Sequence, residues 1–380
     1  MDRKSWVIDL RREFHRHPEP SWMEHRTAAR VEEILKSLGI ETRKVAGTAV
    51  IGVLRGSMPG KTIALRADMD ALQQAEKTGA EYASQNPGVM HACGHDAHTA
   101  MLLGAASMLA DSRESLAGNV VFLFQPAEEL AQGAKAMIEA GALEGVDGVF
   151  GMHVWSGLPT GTVSTEPGPR LASIDIFKVT IRGKGGHGSA PFQGIDTLIP
   201  AAHMLLGFQS ITTKELDARN PVVLSVGQIH GGTRFNIIAD ETWMDGSVRC
   251  FDPAVQDMVE EKLKRIAKLT AEAHRATAEV EYNRACPVTM NDGELTQLAQ
   301  RVVTAELGAG SLKHLEPLTG SEDFSFFASK VPGTFLFLGT GNEEKGTTYP
   351  QHHPQYDIDE DALDIGTRLY ASFAKAFLNQ

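Results

Sequence analysis

Val120-Val121-Phe122-Leu123-Phe124 runs directly into Gln125-Pro126-Ala127-Glu128-Glu129, and this junction decides the fold. Five consecutive apolar residues leave no face for water, the pattern of a short strand covered on both sides in a parallel sheet. Two adjacent carboxylates follow at the strand's end, where open α/β sheets place their sites. Working outward, Val31, Ile34, Leu35 and Leu38 share one helical face, and Gly39 follows as a stop signal. Val50 to Leu54 and Thr62 to Leu65 are strand-sized runs. Met101, Leu102, Ala105, Met108 and Leu109 then line one face of a helical stretch from Thr99 to Ala110. Strand, helix and strand recur in that order, which reads as a doubly wound α/β domain.

From Ile174 the pattern changes. Strand-like Ile174 to Arg182, helical Asp196 to Ile211 and strand-like Val222 to Ile229 are followed by a strand at Thr242 to Phe251. A helix from Pro253 to about Ala276 and a strand at Ala278 to Tyr282 complete the set. This β-α-β-β-α-β order is the split βαβ, ferredoxin-like unit, an α+β module able to fold alone. After Pro287 a helical face returns (Leu295, Leu298, Val302), then the run Thr334 to Leu338 and a last helical segment from Asp361. These pieces are too few to bury a core by themselves and are expected to complete the first domain. The expected organisation is a first domain over 1–172 and 287–380, interrupted by an inserted domain over 173–286.

The 380 residues carry 48 acidic and 36 basic side chains, a net charge of −12. An acidic surface repels phosphate backbones and anionic lipid, so neither nucleic acid nor membrane is an expected partner. No apolar stretch reaches the roughly 20 residues of a membrane span. Met1 to Leu10 mixes Asp2, Arg3, Lys4 and Asp9 with its apolar residues, unlike a secretory signal. Cys93, Cys250 and Cys286 lie too far apart for a disulfide framework. A reducing compartment, the cytoplasm, is the expected location.

Several polar clusters sit at predicted strand ends. Arg66-Ala67-Asp68-Met69-Asp70 offers two carboxylates on one side of an extended segment, although a solvated turn would look the same. His91-Ala92-Cys93-Gly94-His95-Asp96-Ala97-His98 holds four potential ligands and an acid within eight residues. Thiolate and imidazole suit Zn²⁺ and its neighbours, and Asp96 and His98 could equally orient a ligand ring. Glu128 and Glu129 repel each other beside a buried strand end unless a cation is present, and a helix N-terminus would also favour them. His153 in Gly151-Met152-His153-Val154 and the pair His352-His353 before Pro354 are each unremarkable alone. Together, Cys, His, Glu, His and His at strand ends suit two adjacent divalent ions that activate a water. In the inserted region, Gly183-Lys184-Gly185-Gly186-His187-Gly188-Ser189 lacks the phosphate-loop order and exposes His187 on a glycine-rich tip. Arg249 could hold a carboxylate bidentately, or it and Asn236 could serve local hydrogen bonds.

These motifs resemble, over nearly the whole chain, the metal-dependent aminoacylase and carboxypeptidase family. They are most similar to its branch of N-acyl-amino-acid amidohydrolases, hippurate hydrolases and auxin-conjugate (IAA-amino acid) hydrolases. The resemblance rests on Arg66 to Asp70, Met90 to Thr99, Gln125 to Glu129, Gly151 to Val154, Gly186 to Ser189, Gly320-Ser321-Glu322-Asp323-Phe324 and the late His-x-Pro. It implies a zinc-peptidase-like catalytic domain with an inserted lid or dimerisation domain, and a homodimer formed through that domain. It also implies two divalent ions per subunit, zinc or manganese, with cobalt or nickel as further options. Metal ligation falls to Cys93, His95, Glu129, His153 and His352; His352 precedes the proline by two residues, as the family's ligand does. Glu128 becomes the general base and acid, Asp70 the acid that orients a ligand, and His187 a histidine that reaches an active site. Asn236 and Arg249 match substrate-binding positions, and Asp68 is not counted among the ligands. The implied reaction is hydrolysis of a small N-acyl amino acid to a carboxylate and a free amino acid, with dipeptidase or carboxypeptidase action as the alternative. A non-catalytic metal or thiol-redox protein using Cys93 is the distant rival. Gln73 and Ala239 stand where the branch usually has proline, departures that touch neither a ligand nor the base.

Overall fold

The structure, a computed structural model, describes residues 2–380. They form two compact units, one comprising the chain up to Arg170 with Thr289–Glu316 and Glu322–Gln380, the other Leu171–Val288 with Pro317–Ser321. In chain order the first unit begins with α1 (Arg3–Arg16), α2 (His25–Ser37), β1 (Glu41–Val45), β2 (Ala49–Arg55) and β3 (Met58–Asp68). It continues with α3 (His95–Asp111), β4 (Ala117–Gln125), α4 (Gly133–Glu139) and β5 (Gly148–Pro159). The second unit supplies β6 (Ile174–Arg182), α5 (Leu198–Ser210), β7 (Val222–Gly231), β8 (Glu241–Cys250), α6 (Pro253–Ala273) and β9 (Thr277–Cys286). The first unit then resumes with α7 (Gly293–Leu307), α8 (Phe324–Ala328), β10 (Gly333–Gly341) and α9 (Asp361–Leu378).

The first unit's sheet runs β1-β2-β4-β3-β5-β10, with the two-residue strand Val163–Ser164 beyond β10. Its centre is parallel: β3 pairs with β4 and β5, and β5 with β10, while β1 and β2 add antiparallel pairings at one edge. Buried runs at Val120–Gln125, Gly148–Val154 and Gly333–Thr340 show why these strands read as continuously apolar. Each is covered on both faces. Phe122, Phe124, Phe150 and Leu338 share one core with Leu10 and Phe14 of α1, Leu102 and Leu103 of α3, and Leu369 and Phe373 of α9. Each such side chain contributes roughly 1.5–3 kcal/mol by leaving water. Helix α1 was not apparent from the composition of its first turns, but Val7, Leu10 and Phe14 give it a buried stripe. The chain moves from β3 to β4 on one side and from β4 to β5 on the other, so the carboxyl ends of these strands flank the point where strand order reverses.

In the second unit, β7-β8-β6-β9 form an antiparallel sheet. Phe177, Val179, Ile181, Met244 and Val248 pack on one face against Met204 and Phe208 of α5 and Val259 and Leu263 of α6. The strands alternate because only that face is covered. Helix α5 begins at Leu198 and ends in a π-helical turn at Ile211–Glu215. Among the described residues, no helix is long and apolar enough to cross a membrane.

Candidate metal centre

Two strand ends, the middle of a third strand and one helix start converge. Strand β3 ends in Asp68, in register with Gln125 of β4, and Arg66 stands opposite Gly151 of β5. Cys93-Gly94-His95 begins α3. Gly94 adopts φ +86°, and a Cβ there would lie 2.4 Å from Val154 Cγ2. Glycine therefore lets the helix start come close against β5 and brings Cys93 and His95 beside His153, which lies within that strand rather than at its end.

The imidazoles are sorted by their hydrogen bonds. His98 Nε2 accepts the Val154 N–H at 2.9 Å, so its proton sits on Nδ1 and is donated to Asp68 at 2.6 Å. Neither nitrogen of His98 is left for a metal. His153 Nδ1 donates to the Val154 carbonyl at 2.6 Å, which turns the Nε2 lone pair toward Cys93 Sγ, 3.4 Å away. His95 Nδ1 lies 3.2 Å from Asp70 Oδ1, whereas its buried Nε2 has no hydrogen-bond partner. Asp96 faces elsewhere, accepting from Arg11 at 2.8 Å and from His15 at 2.7 Å. His91 is buried with neither ring nitrogen hydrogen-bonded, and burial holds it neutral with its pKa pulled down to about 4.

Glu128 and Glu129 lie on a short turn between two residues of positive φ, Ala127 and Ala131, both at +52°. The helix N-terminus that would also have favoured the pair is absent here; the two lie on a single 3₁₀ turn, Glu128–Leu130. Asp70 accepts both glutamate N–H groups at 3.1 Å, with Ser21 Oγ as a further donor at 2.7 Å. Ligand atoms of Cys93, His95 and His153 fall within 4.8 Å of one another, as do those of Cys93, Glu129 and His352, and those of His95, Glu128 and Glu129. His352, at φ +67°, places Nε2 3.6 Å from Glu129 Oε1.

Behind this group lies a buried cation and its acids. Arg66 donates to Gln125 and Asp68 at 2.8 Å, to Glu322 at 2.8 Å and to Asp323 at 3.0 Å. Asp68 is thus engaged by Arg66 and His98. Burial, with Glu322, Glu129 and Asp323 nearby, pushes the Glu128 carboxyl well above its ordinary range. Burial raises Glu129 to about 7, and it raises Asp323 to about 8 against the pull of Arg66. Burial also raises the Cys93 thiol, while it drives His153 well below the ordinary imidazole range. A protein that gathers a half-buried thiol and several carboxyls together, with His95 Nε2 and Glu129 Oε1 lacking hydrogen-bond partners, fits a divalent cation that would replace their protons.

His187, Asn236 and Arg249 belong to the second unit. His187 is exposed on a two-residue strand paired with Ile237–Ile238. Its Nδ1 takes the Ser189 N–H at 3.1 Å, which leaves the proton of the neutral ring on Nε2. Asn236 Oδ1 is buried without a hydrogen-bond partner. Arg249 Nη1 donates to Thr319 O at 3.0 Å and Ser321 Oγ at 3.1 Å, bonds within its own unit.

Sequence reading missed Ser21 and Glu24, which tie the segment before α2 to the glutamate turn. Their partners Asp70 and Ala127 lie far along the chain, so no local pattern could mark them.

The family described as Peptidase family M20/M25/M40 matches residues 64–376. Thermostable carboxypeptidase 1 of Saccharolobus solfataricus is 42% identical over 99% of this chain and 96% of its own. N-acetylcysteine deacetylase of Bacillus subtilis is 38% identical over 97% of this chain and 96% of its own. A crystal structure from Bacillus subtilis described as a dinuclear metal-binding peptidase of the M20 family superposes with a TM-score of 0.88. It is 36% identical and covers 99% of both chains.

Proposed function

This chain belongs to peptidase family M20/M25/M40 and is a hydrolase, and on that premise we propose that it cleaves the amide bond of N-acyl amino acids with two divalent ions per subunit. The observation that carries the reading is the division of labour along one turn. Both glutamates share a cluster with His95, but Glu129 also joins Cys93 and His352, whereas Glu128 joins the acids Glu322 and Asp323. Cys93, His95, Glu129, His153 and His352 would hold the metals; the thiolate and imidazoles favour zinc, and the Glu129 carboxylate also suits manganese. Bound there, the ions would acidify a water and polarise the substrate carbonyl.

The chain's own groups then supply the proton traffic. Glu128, a half-buried carboxyl with high proton affinity, takes a proton from the attacking water and returns it to the leaving nitrogen. Asp70 fixes both partners, since it touches His95 Nδ1 and both glutamate N–H groups. His187 Nε2–H, its tautomer set by Ser189, supplies a donor to the developing oxyanion. Asn236 and Arg249 bind the substrate's polar groups, and the second unit mediates a homodimer.

The relative named a carboxypeptidase favours a second reading, cleavage of dipeptides or C-terminal residues at the same centre. Protein stripped with chelator and reloaded separately with Zn²⁺, Mn²⁺ or Co²⁺ decides between them on a panel of N-acetyl amino acids, N-benzoyl amino acids and dipeptides. Metal-dependent release of amino acid from the acyl substrates supports the amidohydrolase. Cleavage of dipeptides alone transfers the assignment to the exopeptidase.

A further inference from the structure

Ala127 precedes the glutamate pair with φ +52°, a conformation that residues bearing a Cβ enter at a cost. Something must hold it there. Its carbonyl accepts from Gln132 N and Gly133 N, both at 3.3 Å. Its N–H donates at 2.9 Å to Glu24 Oε1. Glu24 is fully buried, and the same oxygen accepts the N–H of Trp22 at 2.9 Å, another residue with positive φ, at +66°. Glu24 Oε2 takes the hydroxyl of buried Thr48 at 2.6 Å. One carboxylate therefore joins two left-handed residues from segments about a hundred positions apart and is itself anchored by a third. Three residues before it, Ser21 donates to Asp70 Oδ2 at 2.7 Å, and Asp70 accepts Glu128 N and Glu129 N. The Ser21–Glu24 segment thus grips the glutamate turn at both its first N–H groups and the residue before them.

We propose that Glu24 is a positioning residue, a clamp that fixes Ala127 in the left-handed conformation and thereby aims Glu128 and Glu129. The clamp rests on the reading of Glu129 as a metal ligand and Glu128 as the base. A carboxamide retains an acceptor oxygen for both N–H groups, so geometry survives in Glu24→Gln. A shorter side chain cannot reach Ala127 while keeping Thr48, so geometry is lost in Glu24→Asp although the charge stays. Removing a group that orients a ligand typically costs roughly 10–100-fold in metal affinity or activity.

The test uses full-length, chelator-stripped protein titrated with Co²⁺ and followed by its visible absorption, with hydrolysis of N-acetyl-L-methionine as a second readout. Glu24→Gln should bind Co²⁺ within about threefold of wild type and give the same spectrum. Glu24→Asp and Glu24→Ala should bind about tenfold or more weakly with an altered spectrum, and kcat should fall more than KM rises. A purely structural role would lower the melting temperature and leave Co²⁺ affinity and spectrum unchanged, and that result overturns the clamp. Glu24→Gln as impaired as Glu24→Asp overturns it too, because charge would then matter more than reach. If Glu24→Ala does not fold, the Gln and Asp variants still decide. Wild type that takes up Co²⁺ yet leaves the acyl substrate intact counts against the amidohydrolase reading, while the Co²⁺ titrations still judge Glu24.

Discussion

His98 and Val154 are joined by a hydrogen bond in which the imidazole Nε2 accepts the backbone N–H at 2.9 Å. This bond fixes the His98 proton on the nitrogen facing Asp68 and takes the ring out of competition for metal. His98→Ala should therefore keep the wild-type number of bound metal ions while melting at a lower temperature. The buried Val154 N–H and an Asp68 oxygen lose their partner, at about 1–3 kcal/mol each. Loss of one metal equivalent in inductively coupled plasma analysis would show that His98 is a ligand after all.

Glu128→Gln keeps the shape of the turn and removes the proton acceptor. Metal content should be retained and kcat should fall by about 100-fold or more, the usual scale for a general base. Turnover near that of wild type would assign proton transfer to another group.

The carboxyls of the centre also make a prediction about pH. Folding raises Glu129 to about 7 and Asp323 to about 8. The folded chain therefore holds protons that the unfolded chain has already released above the ordinary carboxylate range near 4. The stability these groups contribute is full below about pH 4 and is lost as pH rises through 7 and 8. A divalent cation substitutes for those protons. Added Zn²⁺ or Mn²⁺ should accordingly raise the melting temperature of stripped protein more at pH 8 than at pH 5.5. An equal rise at both values in scanning calorimetry would mean that these carboxyls do not meet the metal.

Gly133 opens α4 directly below the glutamate turn, and a Cβ there would lie 1.6 Å from the Pro126 carbonyl oxygen. That neighbour is backbone, so it must move, and Ala127 moves with it. Gly133→Ala should destabilise the protein by about 1–3 kcal/mol, the usual cost of forcing atoms into a packed site, and should weaken Co²⁺ binding in parallel. Unchanged binding would show that the turn is held independently of Pro126.

Much of the architecture could be read from the chain because burial leaves a periodic trace. The run Val120 to Phe124 announced a strand covered on both faces, and Ile174 to Arg182 a strand as well; both strands are present in the structure. The dense motif from His91 to His98 announced a ligand cluster; its residue types left His98 open as ligand or orienting group, and only the resemblance set it apart from His95 and His153. The physical reason lies in its bonds to Val154 and Asp68, which arise where α3 meets β5. The glutamate pair could be found by its proximity to a strand end, yet its 3₁₀ turn follows from the positive φ of Ala127, an alanine no propensity would single out. Glu24 was invisible for the same reason: its hydrogen bonds to Ala127 and Thr48 are tertiary, and sequence periodicity records only local partners.

The break in the first unit has a consequence for how the chain is made. Strand β10, the parallel neighbour of β5, and helix α9, which closes over Phe150 through Phe373 at 4.1 Å, are encoded after the second unit is complete. Once Cys286 has emerged from the ribosome, every strand and helix of the small sheet is available, while Gly148–Val154 still lacks its partner on one side. Because domains tend to fold as units during synthesis, the smaller unit is ready first. The larger one holds an apolar sheet edge open until the last hundred or so residues emerge, and the nascent chain is most prone to aggregate in that interval.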